Sequence, residues 1–484
     1  MNEWLTTLLI VIPAAGALLV ALLPLSGYWA GSLAALTSLV EIGFWITAAG
    51  KFDFSSPSLQ LSQDHPWFRD LNVSYHVGMY GFSVWLVGMT VIVMAACVIY
   101  GWWVGRTRPR AYFALMLMLT AAIVGVFTAQ DLLLFYAFFE AMLIPLYVLI
   151  GVWGGPGRMR ATLTFVVYTV VGSLLMLAAI VAYGLHYGTF DLTQIPQSDN
   201  TWLFLGFVVA FAIKSPLFPL HGWLPSAYRE SPPEVSAVLS GVVSKAGLYG
   251  LLRIAIAKFP TVAHDWRYEL LVLASISLVY GSLLAFRAPD FRGVVMYSSL
   301  AQSGLIVLGL FAFNSLGVDG AVLQMVNHGL ISASLFLLAG MVERRTSTGE
   351  LRLLGGMARG RPMLATVLMT TGIIALAVPL SSSFAGEFLI LAGVFQQHWI
   401  WGVIGAGAIV LAAMYMLRLI SAVLHQDVGS AEPESALDLR VGELAVVVPL
   451  VLCLLGLSAW PNLISQRAFA GNQATSAIIE GLAR

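Results

Sequence analysis

Long apolar runs separated by short polar loops make up almost the whole chain. Each run has about the twenty residues that a helix needs to cross a bilayer, and we number the fourteen runs as spans 1 to 14. Their bounds are 4–24, 28–49, 82–103, 111–128, 131–151, 161–184, 202–224, 235–256, 268–286, 291–313, 317–341, 363–395, 400–422 and 442–462. The longest polar stretch, 51–80, is too short to build its own core, so we expect an extramembrane loop and one membrane domain over 1–484.

Two of the spans carry prolines that predict broken helices. In span 7, Pro216 and Pro219 follow Lys214 closely, and in span 12 Pro379 precedes three serines. A proline inside a helix has no N–H to donate and its ring clashes with the carbonyl four residues earlier. We therefore expect each helix to break, with bare carbonyls beside Lys214, including that of Ala212.

The two predicted breaks lie five spans apart, which suggests an internal repeat. Spans 4–8 and spans 9–13 would then be two five-helix units of opposite direction, each with a broken helix. The predicted fold is therefore an all-α polytopic membrane protein with inverted repeats. Its parts are spans 1–3 in 1–110, the first repeat in 111–256, the second in 268–422, and the last span with a short tail in 442–484.

Composition agrees with this class and excludes others. Hydrophobic residues are 59% of the chain and charged residues 10%, against about 25% charged in an ordinary globular protein. The formal net charge is zero and no long basic run occurs, so nucleic acid is not an expected partner. The two cysteines, Cys97 and Cys453, are too few for an iron–sulfur cluster or a structural zinc site. We expect no bound cofactor.

Basic residues concentrate in every second loop. The loops that follow odd-numbered spans hold most of them: Arg106, Arg108, Arg110, Arg158, Arg160, Arg287, Arg292, Arg344, Arg345, Arg352, Arg359 and Arg361. The loops that follow even-numbered spans hold few: Lys51, Arg69, Lys258 and Arg267. Because cytoplasmic loops carry an excess of Lys and Arg, the first set is expected on the cytoplasmic side of the plasma membrane and both termini outside.

Ionisable residues inside the spans are the candidate functional residues. A charged group at membrane depth is costly, so it faces protein or water and commonly marks an ion or proton path. Five such residues stand out: Glu140 in span 5, Lys214 in span 7, Lys245 in span 8, His328 in span 11 and Glu387 in span 12. For Glu140, Lys245 and His328 the alternative is a structural hydrogen bond between helices, and for Lys214 it is a side chain that reaches the lipid headgroups.

Two stripes of polar side chains accompany these residues. Gln324 and Ser332 lie four residues on either side of His328, so the three should share one face of span 11. Such a stripe is compatible with a proton relay. Span 10 carries a second stripe that either holds water or joins helices: Ser298, Ser299, Gln302 and Ser303.

Four segments together resemble a known family of membrane subunits. They are FAIKSPLFPLHGWLPSAYRESPPEVSAVLSGVVSKAGLYGLLR, DLLLFYAFFEAMLIPLYVLIGVWGG, NHGLISASLFLLAGMVERR and SSSFAGEFLILAGVF, and the likeness covers spans 4 to 13. The family is that of the antiporter-like subunits of respiratory complex I, shared with Mrp cation/proton antiporters and membrane-bound hydrogenases. In the broken helix of span 12, the M type of subunit carries glutamate where the L and N types usually carry lysine. Glu387 therefore resembles the M type.

The resemblance implies a proton-translocating module that binds no redox cofactor itself. Its implied partners are the L-type and N-type antiporter-like subunits, small membrane subunits, lipid and protons. In this hypothesis Glu140 and Lys214 hold each other charged when they are close. When they separate, Lys214 releases its proton toward Lys245, His328 and Glu387.

Two alternatives remain open at this point. A subunit of an Mrp-type antiporter or of a membrane-bound hydrogenase would use the same residues, although lysine at position 387 would favour the antiporter. A haem-b protein would need facing histidines in the bundle, and His221 and His328 are the two deep ones.

Overall fold

The computed structural model describes residues 4–431 and 437–469, and most of them are helical. Both chain ends and the segment 432–436 lie outside the described residues, including most of the predicted tail. The helices in chain order are α1 (Leu5–Leu22), α2 (Gly27–Lys51), α3 (Gly81–Val104), α4 (Pro109–Thr128), α5 (Leu132–Ala141), α6 (Leu143–Trp153), α7 (Arg158–Tyr187), α8 (Thr201–Lys214), α9 (Leu224–Glu230), α10 (Pro233–Val238), α11 (Ser244–Gly250), α12 (Pro260–Asp265), α13 (Arg267–Arg287), α14 (Phe291–Leu310), α15 (Ser315–Thr346), α16 (Pro362–Ala375), α17 (Ser382–Gln397), α18 (Trp399–Ile420), α19 (Val441–Ala459) and α20 (Asn462–Ser465).

Three π-helical segments continue these helices. Leu239–Val243 joins α10 to α11, Leu251–Ile256 extends α11, and Ser421–His425 extends α18. The π-helical hydrogen-bond pattern widens the helix and frees carbonyl groups, and such segments are frequent at functional sites.

Twelve helices among the described residues are long and apolar enough to cross a membrane, which confirms a multi-pass membrane protein. Two shorter apolar helices, Thr201–Lys214 and Pro362–Ala375, are the first halves of predicted spans 7 and 12. The count of fourteen and the inverted repeat remain predictions.

The polar stretch between spans 2 and 3 forms a β-hairpin, which the prediction of a plain loop did not include. Strands β1 (Gln60–Phe68) and β2 (Val73–Met79) pair antiparallel. A short 3₁₀ turn, Arg69–Leu71, joins them, and Asn72 follows with a left-handed φ of 52°. Asparagine tolerates this conformation, so the tight connection can form without glycine.

The helix break after Lys214 leaves fewer free carbonyls than the prolines predicted. The Ala212 carbonyl accepts a hydrogen bond from the Leu217 amide at 2.9 Å. The Ile213 carbonyl accepts one from the Trp223 indole at 2.9 Å. The prediction of a bare carbonyl at Ala212 is therefore wrong, because the chain folds back and supplies donors at the break.

The second break lies between α16 and α17, as predicted around Pro379. Ser381 caps the N-terminus of α17, where its hydroxyl accepts a hydrogen bond from the Phe384 amide at 3.2 Å. Asn327 on α15 donates its side-chain amide to the Ser382 carbonyl at 2.7 Å. The break is thus fastened to α15, which packs against α3, α10, α14 and α17. Because α15 is buried along its length, it is the helix around which the candidate site is arranged.

Candidate functional site

Lys214 is the last residue of α8 and is 2% exposed. Its ammonium lies 4.8 Å from the centre of the Phe139 ring and 6.0 Å from that of Phe165. An aromatic face attracts a cation electrostatically, which offsets part of the cost of burying it. Lys214 therefore stays inside the bundle and does not reach the headgroups.

Glu140 lies at the end of α5, beside the position where the helix is interrupted. Pro145 has no amide hydrogen for the turn that precedes it, and α5 ends at Ala141 before α6 begins at Leu143. The carboxylate acts electrostatically on Lys214, but no direct ion pair joins them among the described residues. The proposed coupling of Glu140 and Lys214 therefore remains a prediction.

Lys245 and His328 are in direct contact at the centre of the molecule. The lysine is 0% exposed, and its ammonium lies 2.8 Å from His328 Nδ1. It also donates to the Ser240 carbonyl at 2.7 Å and to the Ser244 hydroxyl at 3.2 Å. Ser240 belongs to the π-helical segment, and its carbonyl also accepts a hydrogen bond from the Ser244 hydroxyl at 2.8 Å.

When Lys245 is protonated, its contact with His328 sets the role of each imidazole nitrogen. An ammonium can only donate, so Nδ1 of His328 accepts and carries no hydrogen. The neutral ring then has its hydrogen on Nε2, which is buried and has no protein partner among the described residues. The imidazole is therefore arranged to accept a proton on one side and to release one on the other.

A small cavity of about 20 Å³ lies beside His328 and has room for about one water molecule. Its polar lining comes from Ser298, Gln302, Gln324, His328, Ser332, Ser383 and Tyr415. The predicted polar face of span 11 is confirmed, because its three members line this one cavity. Of the span 10 stripe, Ser298 and Gln302 line the cavity, and Ser299 joins helices through a 2.6 Å contact with Ser240. The role of joining helices is therefore confirmed, and that of holding water remains a prediction.

Glu387 contacts two residues that line the cavity, Gln302 and Gln324, and is 2% exposed. Its Oε1 accepts hydrogen bonds from the side-chain amides of Gln302 at 2.9 Å and Gln324 at 3.4 Å. Gln324 also donates to the Gln302 side-chain carbonyl at 2.9 Å and to the Ser383 hydroxyl at 3.1 Å. Oε2 of Glu387 has no protein partner among the described residues. Helices α14, α15 and α17 therefore meet in one polar network around this carboxyl group.

His221 and His328 are not arranged as a pair. His221 stacks on Phe218 with ring centres 5.8 Å apart and lies edge-on to Tyr280 at 5.6 Å. His328 uses Nδ1 for Lys245. The geometry offers no support for the facing histidines that a haem-b site needs.

The buried carboxylates that the sequence reasoning missed include Glu234 and Glu41. Glu234 is 0% exposed and receives two 2.7 Å hydrogen bonds from Arg106 and one of 2.5 Å from Tyr112. Glu41, in the interior of α2, is 1% exposed and its Oε1 has no protein partner among the described residues. The signal that selected Glu140, a lone carboxylate deep in an apolar run, was also present for Glu41.

Comparison with known proteins supports the resemblance seen in the sequence. Residues 129–414 match the family model described as NADH:quinone oxidoreductase/Mrp antiporter, transmembrane. The chain belongs to this family. All five predicted site residues, from Glu140 to Glu387, lie inside the matched range of this NADH:quinone oxidoreductase/Mrp antiporter family.

Curated members of the family are similar over most of their length. NADH-quinone oxidoreductase subunit M of Rickettsia prowazekii is 34% identical, with 89% of each chain covered. The protein of the same name from Rhodobacter capsulatus is 36% identical, with 86% of this chain and 84% of the relative covered. That from Mycobacterium tuberculosis strain H37Rv is 34% identical, with 95% and 91% covered.

Two solved structures share the fold of the chain. A chain of respiratory complex I from Thermus thermophilus with bound NADH is 29% identical, with a TM-score of 0.89 and 99% of each chain covered. A chain of the Mrp complex from Dietzia has a TM-score of 0.87 at 19% identity, with 99% of this chain and 98% of that chain covered. At that identity the second likeness is one of fold alone.

Proposed function

We propose that the chain is a proton-translocating, antiporter-like subunit of a complex I-type NADH-quinone oxidoreductase. The proposal is supported by the family, by the relatives named NADH-quinone oxidoreductase subunit M, and by the likeness to a chain of respiratory complex I. In this role the chain carries no redox centre and moves protons with energy from electron transfer in other subunits. Its partners are other membrane subunits of such an assembly.

The observation that carries the proposal is the contact between Lys245 and His328 beside a polar cavity that reaches the network of Glu387. Buried ionisable groups within hydrogen-bond distance, next to space for water, are what a proton relay requires.

Proton transfer follows from the roles of the atoms. The Lys245 ammonium donates its proton to Nδ1 of His328, and the imidazolium releases the other proton from Nε2. A water molecule in the cavity carries that proton toward Glu387, whose unpartnered Oε2 accepts it. Lys214 and Glu140 act upstream, since a change in their separation changes the free energy of holding a proton on Lys214.

The architecture and orientation belong to the same proposal. The segments 111–256 and 268–422 are two inverted five-helix units, and each contributes one broken helix. The arginine-rich loops face the cytoplasm and both termini face outward, because basic residues are enriched in cytoplasmic loops. Glu387 favours the M type of subunit over an Mrp-type antiporter.

Replacing Lys245 by methionine tests the relay. Methionine fills a similar volume but cannot carry a proton, so NADH-driven proton uptake by vesicles that contain the assembled enzyme should fall clearly below the wild-type level. Lys258→Met is the matched control, because that lysine bonds the Ile195 carbonyl at 2.8 Å and lies off the relay. Full proton uptake by an assembled Lys245→Met enzyme would overturn the proposed route.

A further inference from the structure

A second polar cavity lies at the arginine-rich end of the molecule, away from the proposed relay. Its volume is about 400 Å³, within the usual range for small-ligand sites. It opens between the last turn of α3, the last turns of α15 and the first turn of α19. The lining residues are Trp103, Arg344, Arg345, Leu437, Arg440 and Glu443.

One of the three arginines is neutralised by a carboxylate. Arg345 donates to both oxygens of Glu443, at 2.9 and 2.6 Å, and its remaining hydrogens reach three backbone carbonyls. Arg344 and Arg440 are exposed, and neither belongs to an ion pair among the described residues. The described lining residues therefore carry two positive charges in excess, with the guanidinium groups of Arg344 and Arg440 available to an anion.

The rim of the cavity is apolar and aromatic. Trp103 and Leu437, which line the cavity, are 42% and 60% exposed, and Val441, the residue after Arg440, is 84% exposed. A Cβ built at Gly442 would lie 2.3 Å from the Trp103 ring, so glycine lets α19 pack directly on the indole and hold it in place. Exposed tryptophan at a helix end, next to basic residues, is typical of the layer where lipid headgroups meet the apolar core.

We propose that this cavity binds the headgroup of an anionic phospholipid. The planar guanidinium groups of Arg344 and Arg440 match the geometry and charge of a phosphodiester. The apolar rim gives the glycerol backbone and the first part of an acyl chain a surface to contact. Basic pockets between transmembrane helices on the cytoplasmic side are known to suit such headgroups. A lipid fits better than an acidic protein segment, because an acidic segment has no apolar tail for the rim.

Lipid retention by the assembled, detergent-solubilised complex tests the proposal. The complex is incubated with phosphatidylglycerol or phosphatidylcholine of the same acyl chains, and the lipid retained is counted by native mass spectrometry. Arg344→Gln and Arg440→Gln should each lower phosphatidylglycerol retention about fivefold, since a basic residue near a membrane contributes about 1 kcal/mol to binding anionic lipid. The double variant should retain phosphatidylglycerol no better than phosphatidylcholine.

Three controls keep the result specific. Arg352→Gln removes an arginine that lies outside this cavity and is paired with Glu350, so retention should not change. Arg344→Lys with Arg440→Lys keeps both charges and should keep most of the binding, which separates charge from misfolding. Inorganic phosphate should compete only weakly, because it lacks the apolar part.

Three results would overturn the assignment. Equal retention of the two lipids by the wild-type complex would show that the headgroup is not recognised. Retention unchanged in the double glutamine variant would place any bound lipid elsewhere. Displacement by phosphate at concentrations comparable to those of the lipid would reduce the cavity to a general anion site.

Discussion

Replacing Glu387 by glutamine tests whether its carboxyl group itself carries the proton. The amide oxygen can take the place of Oε1 and keep the hydrogen bonds from Gln302 and Gln324. The amide nitrogen then takes the place of Oε2, which has no protein partner to lose among the described residues. The substitution preserves shape and packing, and it removes one group that can gain and lose a proton.

The structure allows the cost in stability to be estimated. With both hydrogen bonds kept, Glu387→Gln should change the free energy of unfolding by less than about 1 kcal/mol. Glu387→Leu would instead leave the amide groups of Gln302 and Gln324 without this acceptor, at about 1–3 kcal/mol for each group. The glutamine variant is therefore the one in which loss of pumping can be separated from loss of assembly.

The assay measures protons moved per NADH oxidised in vesicles that contain the assembled enzyme. The expected result is a ratio clearly below that of the wild type, because the last acceptor of the relay is missing. Phe388→Leu is the matched control, since Phe388 is the neighbouring residue and its side chain is 57% exposed. A wild-type ratio in the glutamine variant, at equal assembly, would refute the reasoning. The proton would then have to leave by way of His328 and the surface beyond α15.

Two further predictions concern groups away from the relay. Glu234→Gln should lower the thermal unfolding midpoint by an amount equivalent to about 3 kcal/mol, because it leaves the largely buried Arg106 without its carboxylate partner. Glu350→Gln is the control, since it breaks an exposed ion pair and should cost under about 1 kcal/mol. Equal effects of the two substitutions would contradict the argument. The second prediction concerns His76 in the hairpin. Burial disfavours its charged form, but the hydrogen bond to Asp191 and the charge of Asp191 outweigh burial, so the pKa of His76 is raised. Burial also disfavours the charged form of Asp191, but hydrogen bonds from His76 and Thr193 outweigh it, so the pKa of Asp191 is lowered. The contribution of His76 to the stability of the hairpin is complete below about pH 6.5 and is lost as the pH rises through its folded pKa. The contribution of Asp191 is complete above about pH 3.8 and is lost as the pH falls through its lowered folded pKa. Hydrogen exchange of the backbone amides in 60–79, corrected for intrinsic rates, should therefore be slowest between about pH 3.8 and 6.5. If the His76→Gln variant kept the same upper pH limit of slow exchange, the result would contradict this prediction.

The membrane class and the helix breaks could be predicted from the sequence because their causes are local. A run of about twenty apolar residues is sufficient for a span, and prolines next to polar residues predicted the breaks in spans 7 and 12. A proline alone does not decide the matter, because Pro13 and Pro449 lie inside unbroken helices α1 and α19. What happens at the break is not local. The indole of Trp223 reaches back ten residues to the Ile213 carbonyl, and that contact depends on the path of the chain between them.

The candidate site could be predicted in part for a related reason. A buried polar group needs a partner, so Lys245 and the polar face of α15 were recognisable one helix at a time. Their contact joins residues 83 positions apart and depends on how α11 packs beside α15. The Arg106 and Glu234 pair was missed because both residues lie near loops, where charge is ordinary, and 128 positions separate them.

The distribution of unpaired polar atoms gives an independent argument for water along the relay. In α15 and α17, five buried side-chain atoms have no protein partner among the described residues; they belong to Gln324, Asn327, His328, Ser382 and Glu387. At about 1–3 kcal/mol for each unsatisfied group, a dry arrangement would cost on the order of 5–15 kcal/mol, comparable to the whole stability of a typical domain. Water bonded to these atoms would remove most of that cost. In the proposed relay the same water would supply the hydrogen-bonded connection between His328 and Glu387, so the feature that would destabilise a dry core is the one that the proposed relay uses.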